Sequence, residues 1–422
     1  MELMDFDVKN LYSDYVKTLE TYIMFRIKQD TIKLTPELTA KGRKPINLSI
    51  GAPVQAPPEF VVNSLKKALD EPGIHLYSTP KGEPFYLEAV AKRMKQRFDV
   101  ELNSSTEVVS LVGSKEGLAN FFRAIINPSL IETEKDIILI PDPGYASYQE
   151  QIKVCGGKFY PIPLKFENNF MPDLNEVVAE LEEKGFDSKK IKAVVVNYPN
   201  NPLGATATRE YLNSVVEFAR KRKILIVSDL AYSEMYWGDQ EAPASILEFE
   251  NAKDLAIEFH SLSKPYSMTG WRLGWACGNK DLVGILNKVK STVDTGIFKA
   301  LQKAGSEILL SAEGDKYIKE WNERYRQKQT ILLDGFKELG WDIANLNIPQ
   351  ATFYLWLPIP ARYKTSEDFT TDLLKTAGIV AVPGTAFGGY GEGYFRLSFV
   401  SADDDLRLVI ERMKTDGFYF SK

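Results

Sequence analysis

The chain has 422 residues and a formal net charge of −5, with 44% hydrophobic and 26% charged residues, the balance of a globular protein large enough for two or three domains. The acidic excess argues against a nucleic-acid binder, which would present a basic face, and no stretch approaches ~18 uninterrupted apolar residues, so no membrane span is expected. Two cysteines, Cys155 and Cys277, and two histidines, His75 and His260, are too few for a disulfide framework, a zinc site or a histidine-based triad. A reducing, cytoplasmic setting is the expectation, and the opening residues show no basic stretch followed by a long apolar run that would mark a leader peptide.

Residues up to about Lys44 lack clean periodicity and read as an arm plus one helix, with an apolar patch from Tyr22 to Ile27. Ile46 to Gly51 reads as a short strand. After Pro57-Pro58, positions Val61, Val62, Leu65, Ala68 and Leu69 share one helical face. Tyr77 to Gly82 is a turn-rich loop, and Leu87, Val90, Ala91, Met94 and Phe98 mark the next helix. From about Val108 strands alternate with helices. Val109 to Val112 is a strand, and Gly113-Ser114-Lys115 opens a helix with Leu118, Phe122, Ile125 and Ile126 inward and Ser114 as its expected N-cap. Such a helix start is an anion site, because its unpaired N–H groups can grip phosphate oxygens.

Ile137 to Ile140 is a buried strand, expected to stop at Pro141-Asp142-Pro143-Gly144-Tyr145. Ala193 to Val196 runs into Asn197-Tyr198-Pro199-Asn200-Asn201-Pro202-Leu203-Gly204. Thr208 caps a helix with Leu212, Val215, Val216 and Ala219 inward. Ile224 to Val227 ends at Ser228-Asp229, with Tyr232 three residues on. Leu255 to Phe259 leads into Ser261-Leu262-Ser263-Lys264, and Leu273 to Ala276 returns. Leu282, Ile285, Leu286 and Val289 line a helix, and helical character dominates from about Lys299 to Leu339. The remainder mixes strands at 352–357 and 394–400 with a helix carrying Leu406, Val409, Ile410 and Met413.

The expected fold class is α/β: a mostly parallel sheet sandwiched by helices, with a smaller α+β unit beside it. The division is an N-terminal arm and part of the small domain over 1–50, the large domain over 51–298 and the small C-terminal domain over 299–422. In such sheets ligands bind outside the carboxyl ends of the strands. Ser114, Tyr145, Asn201, Asp229 and Lys264 all follow such ends.

Between Ser261 and Arg272 the chain offers one lysine, two hydroxyls in Ser-x-Ser spacing and one arginine. That set suits a phosphorylated aldehyde. A lysine amine condenses with the aldehyde, while hydroxyls, backbone N–H groups and a guanidinium hold the phosphate. Pyridoxal 5'-phosphate answers that description, and it needs an acid against its ring nitrogen. Asp229 is the candidate, since opposite charges near contact are worth ~4 kcal/mol at an effective dielectric of ~20. The Asn201 amide and the Tyr232 hydroxyl can donate to the ring oxygen, and Tyr145 can stack on the ring face. The phosphate falls to Ser114, Lys115, Ser261, Ser263 and Arg272. Taken singly, each signal has a plain structural reading: a surface turn, a helix-capping aspartate, an Asn-Asn-Pro turn. Their common position at strand ends is what joins them. His260 reads as a packed strand-end histidine, and Gly388 to Gly393 lacks the G-x-G-x-x-G spacing and following helix of a nucleotide loop.

Asn201-Pro202-x-Gly204, Asp229-x-x-Tyr232 and Ser261-x-Ser-Lys264 with Gly270-Trp271-Arg272 resemble the class I/II aminotransferases of fold type I, and the resemblance spans essentially the whole chain. It implies a pyridoxal-phosphate-dependent homodimer with active sites between subunits. The reaction implied is a two-step exchange of an amino group between an amino acid and a 2-oxo acid. It further implies Lys264 as the cofactor lysine and general acid/base, and Arg396 in Tyr394-Phe395-Arg396-Leu397-Ser398 as the bidentate grip on the substrate α-carboxylate. Gly51, Asn201 and Tyr145 would lie beside the substrate, and Tyr77 would reach the partner subunit's cofactor phosphate.

Within the class, Val112 to Gly117, Pro141 to Tyr145, Phe259 to Lys264, Val293 to Gly296 and Gly389 to Tyr394 are most similar to the LL-diaminopimelate aminotransferases. That likeness implies conversion of tetrahydrodipicolinate and glutamate to LL-diaminopimelate and 2-oxoglutarate, in lysine biosynthesis. One stretch departs from it: Pro80 and Lys81 follow Tyr77 where that family usually carries Glu or Tyr, which changes the contact with the substrate's distal end. Aspartate-, alanine- and aromatic-type aminotransferases share the cofactor residues, and a pyridoxal-dependent β-lyase uses the same cradle, so both stay open as alternatives. A cofactor-binding regulator with a DNA-binding segment is opposed by the acidic balance and by the lack of room for such a segment.

Overall fold

A computed structural model describes residues 7–17, 19, 23–346 and 348–421; Tyr22 of the N-terminal apolar patch lies outside them. The strands are β1 (Ile46–Asn47), β2 (Val108–Leu111), β3 (Ile137–Asp142), β4 (Lys158–Pro163), β5 (Ile191–Val196) and β6 (Leu225–Asp229). They continue with β7 (Ala256–Ser261), β8 (Gly274–Gly278), β9 (Tyr354–Pro358), β10 (Ile379–Val380), β11 (Val382–Pro383) and β12 (Tyr394–Ser398). Strands β2 to β8 form one seven-stranded sheet in the order β2-β8-β7-β6-β5-β3-β4. All its pairings are parallel except those of β8, which runs against both β2 and β7.

The sheet is buried on both faces, which is why its strands read as continuous apolar runs. Alternate residues sort to opposite sides with the period of two that a pleat imposes. Val109, Ile138, Ile140, Val195 and Val227 pack toward Leu118, Phe122, Tyr148 and Val283, on helices Ser114–Ile125, Ser147–Val154 and Lys280–Lys290. Val108, Ile137, Leu139, Val194, Val196 and Ile226 pack toward Val90, Met94, Val178, Val215 and Ile308 on the other side. Helix Lys299–Leu310 lies past the expected boundary at 298, yet its Ala304, Ile308 and Leu309 belong to this larger core. In the smaller unit β9, β11 and β12 form an antiparallel sheet, and β1 pairs with β10. Leu355, Leu357, Phe395 and Leu397 pack there against Leu332 and Phe336 of helix Ala312–Glu338 and against Leu406, Val409 and Met413 of helix Asp403–Thr415.

Four expectations need correction. Ser114 is not the N-cap of its helix: Gly113 is, at φ +82°, and Ser114 is already the first helical residue. A Cβ at position 113 would overlap the Arg272 guanidinium, so both conformation and space select glycine. Strand β3 does not stop before Pro141 but runs through it to Asp142. Pairing with β5 ends at Leu139 while pairing with β4 continues, so the missing N–H of Pro141 interrupts no ladder on the β5 side. The strand expected over Ile46 to Gly51 is only Ile46–Asn47, because the Asn47 Oδ1 accepts both the N–H and the hydroxyl of Ser49 and turns the chain. On helix Lys280–Lys290 the buried positions are Val283, Leu286 and Lys290, the last paired with Asp294, whereas Ile285 faces outward.

Candidate active site

The carboxyl ends of the parallel strands converge on a cavity of about 330 Å³. Asp229 arrives as the last residue of β6. Lys264 follows β7, Asn197 and Asn201 follow β5, Tyr145 follows β3, and Ser114 and Lys115 follow β2; all line the cavity, as do Tyr232, Gly51 and Arg396. Four expected site residues are not in that lining. Ser261 and Ser263 are buried in the turn beneath it, the Ser263 N–H donating to Ser261 Oγ at 3.1 Å. Arg272 lies over the start of helix Ser114–Ile125, and Tyr77 points into solvent at 85% exposure.

Asp229 is 5% exposed, and its two oxygens differ. Oδ2 accepts a 2.6 Å hydrogen bond from the Tyr148 hydroxyl, whereas Oδ1 is buried without a hydrogen-bond partner. An unpaired buried carboxylate oxygen is costly. Burial raises the pKa of Asp229 above the usual carboxylate value, and the Tyr148 bond opposes that rise. The Asn197 amide donates to the Asp229 carbonyl at 2.8 Å and fixes the backbone beneath it.

Lys264 Nζ donates to the Gly51 carbonyl at 2.5 Å and has no carboxylate partner among the described residues. Burial, then the nearby Arg396 and Arg272, pull its pKa down from 10.5 to about 8, with Asp229 acting in the opposite sense. A lysine so placed is a far better nucleophile and base near neutral pH than a surface lysine.

Arg396, on β12, is 3% exposed. Nη1 donates to Asn201 Oδ1 at 2.8 Å and Nη2 to the Ser49 carbonyl at 2.9 Å, while Nε is buried without a partner. Its guanidinium carbon lies 4.3 Å from the Tyr354 ring centre and 4.7 Å from that of Phe387. These contacts orient a cation that no acidic side chain among the described residues neutralises. A buried guanidinium of this kind is set up to receive an anion.

At the other end of the cavity, Arg272 donates from Nη2 to the Val112 carbonyl at 3.0 Å and from Nη1 to the Thr269 carbonyl at 2.9 Å. This places a cation beside the unpaired N–H groups of the helix that begins at Ser114. Burial lowers the pKa of Lys115, and the Arg272 charge adds to that.

The family described as Aminotransferase class I and II matches residues 43–413. The chain belongs to the class I and II aminotransferases. An LL-diaminopimelate aminotransferase of Aquifex aeolicus is 42% identical over 406 residues, covering 96% of this chain and 98% of the relative. One from Syntrophobacter fumaroxidans is 41% identical over 407 residues, covering 96% and 99%. Among solved structures, substrate-bound BacF from Bacillus subtilis is 32% identical with a TM-score of 0.86, covering 97% of this chain and 99% of that one. An aspartate aminotransferase of Thermus thermophilus is 27% identical with a TM-score of 0.85, covering 96% and 99%.

As a class I/II aminotransferase the chain is a pyridoxal-phosphate-dependent transferase. Its residues fit that cofactor. The buried Asp229 oxygen lacks only a donor such as a protonated ring nitrogen, the Lys264 amine stands in the same cavity, and a helix start with an arginine over it suits a phosphate.

Several residues of the aminotransferase site were not legible in the sequence. Tyr148 lies three positions after Tyr145, on the first turn of a helix that follows a strand end. Its ring meets that of Tyr145 edge-on, at 5.5 Å. Tyr354 on β9 is bonded hydroxyl to hydroxyl with Tyr232 at 2.8 Å. It is diagonal to Arg396, which pairs with Trp356, so strand register alone brings the two together. Ile23, Met24, Ala386 and Phe387 complete the wall, and no motif announced them. No group of three or more metal-ligating side chains occurs among the described residues, and no helix there is long and apolar enough to cross a membrane.

Proposed function

We propose that this aminotransferase moves the amino group of glutamate to tetrahydrodipicolinate, giving LL-diaminopimelate and 2-oxoglutarate, in lysine biosynthesis. The observation that supports the substrate is the 42% and 41% identity to LL-diaminopimelate aminotransferases along almost the whole chain. What supports the chemistry is the unpartnered Asp229 oxygen in one cavity with Lys264 and Arg396.

Pyridoxal phosphate, when bound, supplies the carbonyl that takes up the amino group and the ring that withdraws electrons from the substrate Cα. The chain supplies the rest. Arg396 grips the substrate α-carboxylate, with Asn201 and the Ser49 carbonyl holding the guanidinium in plane. That grip would aim the Cα–H bond toward Lys264, whose Nζ is the group that would take and return the proton. Asp229, steadied by Tyr148, keeps the ring nitrogen protonated. Tyr145 would serve the ring face, the Asn201 and Tyr232 side chains the ring oxygen, and Ser114, Lys115, Ser261, Ser263 and Arg272 the phosphate. The exposed Tyr77 would reach the phosphate held by a second copy of the chain. In support of a homodimer, Leu76, Tyr77, Val293 and Phe298 are exposed apolar side chains on two segments that touch at Thr79 and Gly296. The division into a large cofactor-binding domain over 51–298 and a smaller one over 299–422 joined by the N-terminal segment belongs to the same reading, with helix Lys299–Leu310 packed on the larger unit.

A second reading is favoured by the wall of Ile23, Met24, Ala386 and Phe387, which offers no charge to a polar distal end. On it, a neutral or aromatic amino acid is the donor. One screen separates the two: purified holoenzyme is mixed with single amino acids and the absorbance of the bound cofactor followed. Conversion by LL-diaminopimelate and glutamate, with phenylalanine and alanine inert, is the expected result. Conversion by phenylalanine alone sinks the first reading, and ammonia released with the 2-oxo acid would mark a β-lyase.

A further inference from the structure

Two stretches that stand out in the sequence have no part in the chemistry above: Pro141-Asp142-Pro143-Gly144 and the glycine-rich run Gly388 to Gly393. In the fold they clasp each other. Asp142, the last residue of β3, is 5% exposed, and its carboxylate accepts the N–H of Gly389 on Oδ2 and that of Tyr390 on Oδ1, both at 3.0 Å. Gly144 adds a third bond, its N–H donating to the Phe387 carbonyl at 2.8 Å. Gly388, at φ +130°, lies so close to the carboxylate that a Cβ there would overlap it. The charge of Asp142 is met by those backbone N–H groups and by no cation.

The clasp joins the two units of the molecule. Asp142 ends a strand of the seven-stranded sheet, and Gly384 to Gly391 link β11 to β12 of the three-stranded one. On one side the next residue after Gly144 is Tyr145, which lines the cavity; on the other, Phe387 lines it and lies under Arg396. We propose that Asp142 is a positioning residue whose grip on Gly389 and Tyr390 holds Phe387 against Arg396, and so fixes the width of the site between Tyr145 and Phe387. Asp142 touches neither cofactor nor substrate. The proposal rests on Arg396 being the carboxylate-binding arginine.

Burial pushes the Asp142 carboxyl up to about 6, and the two N–H groups restrain the rise. The charged and titratable groups on the elements around the clasp are Tyr145 on the loop after it and, lining a neighbouring cavity with Pro143, Tyr390 in the glycine-rich run, Tyr394 on β12, and Lys165 and Glu167 after β4, with the Lys165 ammonium 5.2 Å from the Tyr390 ring centre. Protonation of Asp142 removes an acceptor and frees one N–H, which loosens the clasp from below pH 6.

The test uses holoenzyme in half-reactions with L-glutamate and, in parallel, LL-diaminopimelate, read at the cofactor absorbance. Asp142→Asn should raise the apparent dissociation constant about tenfold, with the maximal rate within about twofold and the cofactor spectrum unchanged. If the effect passes through Phe387, adding Asp142→Asn to Phe387→Ala should change nothing further. The wild-type constant should rise as pH falls through 6, and that of Asp142→Asn should not. Should Asp142→Asn fail to fold, Gly388→Ala gives the same reading, since its methyl must push the carboxylate off the two N–H groups. An unchanged dissociation constant in these variants, or effects of Asp142→Asn and Phe387→Ala that simply add, overturns the proposal. A Phe387→Ala enzyme that binds both amino acids normally overturns it as well, whereas an Arg396→Ala enzyme that binds them normally would instead remove the Arg396 assignment on which it stands.

Discussion

Asp229 and Lys264 reach the cavity from neighbouring strands of one parallel ladder, Asp229 as the last residue of β6 and Lys264 three residues after β7. The wall facing them is assembled otherwise: Ile23 and Met24 come from the first turn of a helix near the start of the chain, and Phe387 from a turn near its end. The floor is rigid because sheet pairing and two apolar cores over-determine it. The helical part of the wall is held by a few side-chain contacts, such as Ile27 packed on the cluster of Val382, Ala386 and Phe387 and the exposed Arg26–Glu367 pair at 3.1 Å, the latter worth ~1 kcal/mol at most in water. Groups that serve a cofactor common to many reactions sit on the first kind of support. Groups that meet the variable part of a substrate sit on the second.

Breaking the floor should therefore stop the reaction whatever the substrate. Lys264→Ala is expected to lower turnover by more than about 10⁴-fold with every amino acid, since both the cofactor's amine and the proton carrier are lost. Circular dichroism and thermal unfolding should stay close to wild type. Turnover within about tenfold of wild type would refute the assignment. The same lysine offers a pH signature: apo protein should take up pyridoxal phosphate faster as pH rises through about 8, where the buried amine loses its proton, and not only near 10.5.

A smaller effect, with two opposite signs, is expected at Asp229. Removing the charge by Asp229→Asn withdraws ~4 kcal/mol of support for a protonated ring nitrogen, roughly a 10³-fold loss of turnover. The fold should respond the other way. Burial raises the folded-state pKa of Asp229, so the native chain binds this proton more tightly than the unfolded chain does. The associated stability is present at low pH and is lost as pH rises through the folded value. Above that value the apo variant should thus unfold at a higher temperature than apo wild type. A lower unfolding temperature, measured calorimetrically at neutral pH, would show that Asp229 serves the fold and not the cofactor.

The contrast between floor and wall also marks what could be read before any coordinates. Ser114, Tyr145, Asn201, Asp229 and Lys264 were legible because each stands just after an apolar run, and strand ends of a parallel sheet share one edge. Tyr148 was not, since its role depends on which helical face turns back under Asp229. Phe387 was not, since a turn residue after a two-residue strand carries no period. The misread N-cap at Ser114 has a related cause. Serine is the better capping residue by preference, but the Arg272 guanidinium needs the space at position 113, and a partner 159 residues on is invisible to local pattern. Pro141 misled because a proline is read as a strand stop, whereas here pairing with β5, on the side its nitrogen faces, has already ended.

The smallest and most selective change is expected at the wall. Met24 is half-buried at the cavity edge, in a first helical turn secured by apolar packing and a surface ion pair. Met24→Ala opens room on the distal side of the substrate without touching Lys264, Asp229 or the arginines. An apolar contact of this size is worth ~1–3 kcal/mol between competing substrates, so the ratio of kcat/KM values for a long and a short amino acid should shift by about tenfold. The cofactor absorbance and the pH dependence of its uptake should not move. If the variant instead slows all amino acids by one common factor, Met24 does not select among them, and the division between a shared floor and a selective wall fails at the residue where it is easiest to test.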